Sequence, residues 1–230
     1  MSLVKQFVKE LNGKNNRVEG ELVKTIFYSL LVSFGLFVVW YFISLKNVEN
    51  FLPKYGLFIF LAILSYAIIL PSIRQVRAYK NFACMSGMMI GMTTGMIAGF
   101  LPGYFIGATN GMFYGMIFGM IVGIFFGVWN GKCCGIMGVM EGLMAGFMGG
   151  IMGAMTSVML LNDNLKLASI IIFVISSIII FALNYMIYKE TKESQREIKE
   201  DYFLTILLSL ILTAITIFLM VYGPRSVLFG

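Results

Sequence analysis

Long apolar segments, separated by short polar stretches, follow one another along almost the whole chain. Four of them are built from Leu, Ile, Val and Phe, and they span approximately 22–44, 55–73, 167–188 and 202–222. Each is close to the roughly 20 residues that a helix needs to cross the hydrocarbon core of a bilayer. The pattern predicts an all-α integral membrane protein.

The middle of the chain is also apolar, but its pattern is different. A glycine occupies every fourth position from Gly87 to Gly135, and the four-residue spacing resumes from Gly138 to Gly150. Lipid provides no hydrophobic force between helices, and small residues four apart let two helix backbones approach closely. We therefore expect these glycines to form a glycine zipper between tightly packed transmembrane helices.

A 24-residue repeat divides this region. The segment GMMIGMTTGMIAG, which begins at Gly87, matches GMFYGMIFGMIVG, which begins at Gly111, and a weaker third copy begins at Gly135. A period of 24 fits one crossing plus a tight turn, and residues 101–104 and 130–132 carry turn-forming Pro, Gly and Asn. Three antiparallel helices are predicted, at about 82–101, 105–129 and 133–160. The fold prediction is thus about seven transmembrane helices with a glycine-zipper, Met-rich core of three helices.

Composition and charge agree with this architecture. The chain is 59% hydrophobic and only 12% charged, whereas about a quarter of the residues in a soluble domain are charged. Of the 17 Lys and Arg residues, 13 lie on one set of alternate connections. The positive-inside rule places that set in the cytoplasm.

The charge pattern defines three parts of the chain. Residues 1–21 are predicted to be a cytoplasmic basic segment without the apolar run of a signal peptide, either a short amphipathic helix on the membrane surface or a solvated tail. Residues 22–222 form one transmembrane domain, and residues 223–230 form a short extracytoplasmic tail. We expect the protein in the plasma (inner) membrane. The net charge of +6 follows from the positive-inside pattern, so no nucleic-acid partner is expected.

Candidate chemistry is restricted by the absence of histidine from the chain. The usual general base, zinc ligand and haem ligand are therefore missing. Nucleophile motifs, phosphate loops and paired carboxylates are missing too. We expect a protein that is not an enzyme and needs no cofactor.

Sulfur remains as the candidate ligand. All the methionines except Met1, Met186 and Met220 lie between Cys84 and Met159. On the fifth predicted helix, at 3.6 residues per turn, one stripe runs from Cys134 to Met159 and is about 37 Å long, which is enough to cross a bilayer. It contains Cys134, Met137, Glu141, Met144, Met148, Met152, Met155 and Met159. The predicted ligands of a metal ion are Cys84, Met85, Met88, Met92, Met96, Met112, Met116, Met120, Cys133, Cys134, Met137, Glu141, Met144, Met148 and Met152.

These ligands favour one class of metal. Soft thiolate and thioether sulfurs select Cu(I) and, by extension, Ag(I). The three cysteines are predicted at the cytoplasmic ends of helices, where thiols stay reduced. Glu141 is the only acidic residue well inside a predicted crossing, and such residues are functional candidates. It either neutralises a bound cation, carries a proton, or donates a hydrogen bond as a neutral acid to Thr93, Thr94 or Ser86.

Methionines and glycines that are both spaced four apart resemble a local feature of the small eukaryotic copper importers of the Ctr type. The resemblance implies copper transport without fixing its direction. Those importers have three crossings and a Met-rich extracellular tail, and this chain has more than twice as many predicted crossings and no such tail.

Three functional hypotheses follow. The first is a transporter, channel or binding protein for Cu(I) or Ag(I). The second is a non-transporting scaffold in the lipid bilayer, in which the glycine rows pack with a second copy or with a partner subunit and methionine fills gaps. The third is a conduit for protons or a small solute, centred on Glu141.

Overall fold

The computed structural model of the chain describes residues 19–43, 55–79, 82–191 and 202–224. These residues form seven α-helices, namely α1 Glu19–Ile43, α2 Leu57–Ala78, α3 Cys84–Asn110, α4 Met112–Gly131, α5 Gly135–Met159, α6 Leu165–Glu190 and α7 Tyr202–Tyr222. A 3-10 turn, Lys132–Cys134, joins α4 to α5. Six helical stretches are long and apolar enough to cross a membrane, and one of them, Met112–Met159, contains both α4 and α5.

Helix α4 folds back on α5 at the 3-10 turn. The backbone of Gly131 lies against Gly138, and one turn further on Gly127 lies against Gly142. As one residue number rises the other falls by the same amount, so the two helices are antiparallel. In the same way, Gly91 lies against Gly131 and Gly95 against Gly127, so α3 and α4 are antiparallel, which makes α3 and α5 parallel.

Glycines line the contacts inside this group of three helices, which we call the glycine triplet (α3, α4 and α5). A β-carbon on Gly99 would come within 2.9 Å of the carbonyl oxygen of Gly146, and a β-carbon on Gly123 within 2.8 Å of the same atom. Real β-carbons do not approach that closely, so the backbones would have to separate to admit alanine. Glycine is therefore required for this spacing.

The turn between α3 and α4 differs from the expectation. The sequence predicted a break at residues 101–104, but α3 continues through Pro102 to Asn110. Proline is tolerated inside membrane helices because neighbouring groups satisfy the freed backbone carbonyl. The chain turns instead at Gly111, whose φ of 106° favours glycine. The second turn lies near its predicted place and ends at Gly135, with φ 69°.

Helix α2 is at the centre of the remaining helices and packs against α1, α3, α6 and α7. Its buried side chains include Ile59, Ile63, Tyr66 and Leu70. The helices beside it bury rows of hydroxyl side chains: Thr25, Ser29 and Ser33 on α1, and Thr205, Ser209, Thr213 and Thr216 on α7. Small hydroxyl residues are enriched at such helix contacts because they permit close approach and bond locally.

Helix α2 also extends further than predicted. Arg74 and Arg77 were expected in a basic loop, but both belong to the helix. Arg74 is buried, and its Nη1 donates a hydrogen bond of 2.9 Å to the hydroxyl of Thr25 on α1. The aliphatic part of an arginine packs among apolar groups while its polar end is bonded, which explains how the helix accommodates the charge.

Parts of two predictions lie outside the described residues. The amphipathic N-terminal segment falls mostly on residues 1–18, and most of the tail falls on residues 225–230.

Candidate functional site: the methionine surface of α5

Helix α5 has one packed side and one open side. It packs against α3, α4 and the 3-10 turn. The packed side is made of small residues, among them Gly142, Ala145, Gly146 and Gly150, all of which are buried. Because glycine and alanine occupy the contact side, the long side chains of α5 are directed outwards.

Every methionine of α5 lies on the open side. The exposed fraction of the side chain is 62% for Met144 and 58% for Met148, the two nearest the middle of the helix. We call the following set the methionine surface: Met137, Met140, Met144, Met148, Met152, Met155 and Met159, together with Glu141. The sequence predicted a methionine-rich core, whereas these side chains lie on the outside of the bundle.

Glu141 lies exposed among these methionines. Within the described part of the chain, no hydrogen bond or ion pair is formed by its carboxyl group. Of the hydroxyls predicted as its partners, Thr93 donates to the carbonyl of Met89 and Thr94 to that of Ile90. The carboxyl group is thus presented to whatever surrounds α5.

Methionines of the neighbouring helices flank α5. At the middle of the helix, the backbone of Met96 on α3 lies against Gly149, and the backbone of Met120 on α4 lies against Gly150. On these two helices Met85, Met89, Met92 and Met112 are exposed, and Met88, Met96, Met116 and Met120 are half-buried. Exposed thioethers therefore occur on all three helices of the triplet.

The interior of the glycine triplet has no space for an ion path. A β-carbon on Gly119 would lie 2.7 Å from the carbonyl oxygen of Gly99 and 2.9 Å from the α-carbon of Gly150. At this level, backbone atoms of three helices are already in contact. A route for a cation along the predicted sulfur ligands must therefore run outside the triplet.

The cysteines form a second cluster at one end of the triplet. Cys84, at the start of α3, and Cys134, in the 3-10 turn, are joined by a disulfide bond, whereas the sequence predicted reduced thiols. Cys133 is a free thiol, half-buried, and donates a hydrogen bond to the carbonyl of Asn130. Among the residues described, no group of three or more His, Cys, Asp or Glu side chains is arranged to hold a metal ion.

Two positioning interactions near this cluster were missed in the sequence. The carboxylate of Glu190, at the end of α6, accepts a hydrogen bond of 2.8 Å from the backbone N–H of Ala83, just before α3. It places a carboxylate beside the positive, N-terminal end of the α3 dipole. The guanidinium of Arg77 lies 4.7 Å from the centre of the Trp129 ring, which joins α2 to α4. The spacing of residues along the sequence could not have predicted either contact, because each joins segments that are far apart in the chain.

Comparison with known proteins gives no relative from which a function could be transferred. The chain matches no family model, no curated protein and no solved structure.

Proposed function

We propose that this protein binds soft monovalent metal ions, Cu(I) or Ag(I), along the methionine surface of α5 and passes them across the membrane. One observation supports the proposal more than any other. The exposed side chains of α5 include seven methionines and one carboxyl group, whereas the exposed large hydrophobic residues described on α1, α6 and α7 include no methionine.

A comparison with α6 supports a role for the α5 methionines other than contact with lipid. Ile178 is exposed to the same extent as Met144, 62%, and Ile175 is exposed by 52%. Isoleucine therefore serves at positions of α6 that are as exposed as those of the α5 methionines. Methionine differs from them in carrying a sulfur that donates to soft cations.

The gap-filling explanation of the methionines has less support. Methionine fills irregular spaces in packed interiors, but the spaces between α3, α4 and α5 are closed by glycine backbones. The methionines of α5 lie on the opposite side of the helix from those glycines. A methionine that binds an ion needs an exposed sulfur, whereas a methionine that fills a gap in the packed interior does not.

The spacing suits transfer between neighbouring sites. Met140, Met144, Met148 and Met152 follow one another at intervals of four residues, which puts their β-carbons about 5–6 Å apart on a helix. Flexible thioether arms at that distance allow an ion to be held by two sulfurs and handed to the next pair. Glu141 supplies a negative charge that offsets the charge of the ion in a medium of low dielectric constant.

The proposal includes a topology. We propose seven crossings, with α4 and α5 as two antiparallel crossings joined at Lys132–Cys134, and with the α3–α5 contacts acting as a glycine zipper. The charge distribution supports a cytoplasmic N-terminus, an extracytoplasmic C-terminus and a location in the plasma (inner) membrane.

A scaffold role is the second candidate, and the filled interior of the triplet favours it. A rigid group of three helices without an internal path suits a subunit that supports other proteins. The two functions differ in ion flux. Cu(I), Ag(I), Zn(II) or Na(I) is added outside proteoliposomes that contain the purified chain, and the metal retained inside the washed vesicles is measured by elemental analysis. The transport proposal predicts entry of Cu(I) and Ag(I) only, and the scaffold proposal predicts no entry of any ion.

A further inference from the structure

We infer that the methionine surface of α5 is an interface with a second copy of this chain, and that the two copies together complete the metal-binding path. This inference rests on the proposed function for the metal, but the interface is tested separately. Three features of the described residues support it: the position of Glu141, the incomplete ligand shell on one helix, and the peripheral position of α5.

Glu141 shows that lipid is an unsuitable neighbour for this surface. It lies exposed, in the second turn of a helix that is otherwise apolar on its open side. A carboxyl group facing acyl chains costs several kcal/mol, and such groups normally face protein or a water-filled cavity. The open side of α5 is therefore covered by something more polar than lipid.

The ligand shell indicates what covers it. One helix face offers an ion two neighbouring thioethers, such as those of Met144 and Met148, from one side only. Lipid on the other side contains no sulfur ligand. A second copy presents the same sulfurs from the opposite direction, so the shell is completed without any other protein. The second copy is thus the occupant that supplies the missing chemistry.

Membrane insertion fixes the symmetry of such a pair. Both copies insert in the same direction, so a two-fold axis relating them runs along the membrane normal, and the two α5 helices are parallel. In an interface of this kind the same surface is used twice, and residues on the axis face their own equivalents. Met144 then faces Met144, and the two Glu141 carboxyl groups lie near each other, where they share a proton or flank a cation.

The peripheral position of α5 leaves this arrangement free of obstruction. The helix packs chiefly on α3 and α4, and the methionines of its open side are exposed, so the rest of the described chain leaves that side uncovered. On either side of it, the backbones of Met96 on α3 and Met120 on α4 lie against Gly149 and Gly150. Pairing would bring the exposed methionine rows of two α5 helices together.

Cysteine cross-linking in native membranes tests the interface without metal. In a chain with Cys84, Cys133 and Cys134 replaced by Ser, the variants Met144→Cys and Met148→Cys are compared with Ile175→Cys, which lies on the exposed side of α6. With oxidant, the two α5 variants should give a dimer fraction several-fold above that of the α6 variant. Equal cross-linking at all three positions, or none at Met144 and Met148, would overturn the inference.

A second measurement needs no substitution. Membrane patches that contain the wild-type protein are excised with an amphipathic polymer, and the mass of each particle gives the number of chains in it. Two chains per particle are expected, and one chain per particle overturns the interface. The metal proposal fails independently of the interface. Cross-linked dimers that Cu(I) does not stabilise would support the interface and contradict metal binding. Single chains that Cu(I) stabilises would support metal binding and contradict the interface.

Discussion

Gly127 of α4 lies so close to Gly142 of α5 that a β-carbon on Gly127 would overlap the carbonyl oxygen of Gly142. The atom in the way belongs to the backbone, so no side-chain rotation relieves the overlap. The two helices are held at this distance by contacts between backbones. A single methyl group at this point would therefore separate them.

Gly127→Ala should lower the stability of the fold, by about 1–3 kcal/mol, as expected for an added methyl in a packed site. The matched control is Gly35→Ala on α1, where a β-carbon would meet nothing within 4 Å. Alanine there should be neutral or stabilising, since its helix propensity exceeds that of glycine by about 1 kcal/mol. Thermal unfolding of both variants in one detergent provides the comparison. Equal melting temperatures would show that the close contact does not contribute to stability.

The proposed topology predicts opposite labelling at the two ends of α5. Lys132, before the helix, and Asn164, after it, are both exposed. In a cysteine-free chain, a membrane-impermeant maleimide added outside intact cells should modify Asn164→Cys and leave Lys132→Cys unmodified until the membrane is opened. The reverse pattern would invert the orientation of all the helices.

The disulfide between Cys84 and Cys134 yields a prediction that depends on this orientation. We place its end of the protein in the cytoplasm, where thiols are kept reduced. Rapid alkylation in living cells should therefore modify all three cysteines, whereas protein purified in air should have only Cys133 free. The bond closes a sequence separation of 50 residues, and in the chain-entropy view it adds at most about 4 kcal/mol. A disulfide trapped in cells would argue for the opposite orientation.

The long apolar runs made the helices predictable from the sequence. A membrane helix must be apolar over about 20 residues, and α7 begins and ends where that pattern does, at Tyr202 and Tyr222. The position of the turn after α3 was harder to predict from the sequence. Glycine at every fourth position hides which glycine adopts positive φ, and the proline that suggested a break at Pro102 is accommodated within the helix.

The candidate site was predictable in composition but not in position. The stripe on α5 follows from the spacing of Met144, Met148 and Glu141, because helical periodicity fixes which residues share a face. Periodicity does not say whether that face points inwards. The glycines on the opposite face of α5 decide this, since two backbones can approach only where side chains are absent. The disulfide and the hydrogen bond between Glu190 and Ala83 join residues that are far apart in the sequence, and the spacing of residues along the chain does not encode such contacts.

Replacing both Met144 and Met148 by Leu tests the central claim most directly. The exchange nearly conserves volume and apolarity, which usually costs less than about 1.5 kcal/mol, so the fold should survive while two sulfur ligands are lost. The matched control replaces Met186 and Met220, which lie on α6 and α7, by Leu. Glu141→Gln should also weaken cation binding, because it retains the shape of the side chain and removes its charge.

The measurement is a titration of each purified protein with Cu(I) under reducing conditions, followed by thermal unfolding. Our account predicts that Cu(I) raises the melting temperature of the wild type and of the Met186/Met220 control. It predicts that most of this rise is lost in the Met144/Met148 variant, whose melting temperature without metal stays close to that of the wild type. No rise in the wild type, or an equal rise in the Met144/Met148 variant, would contradict the assignment of the methionine surface as a metal site.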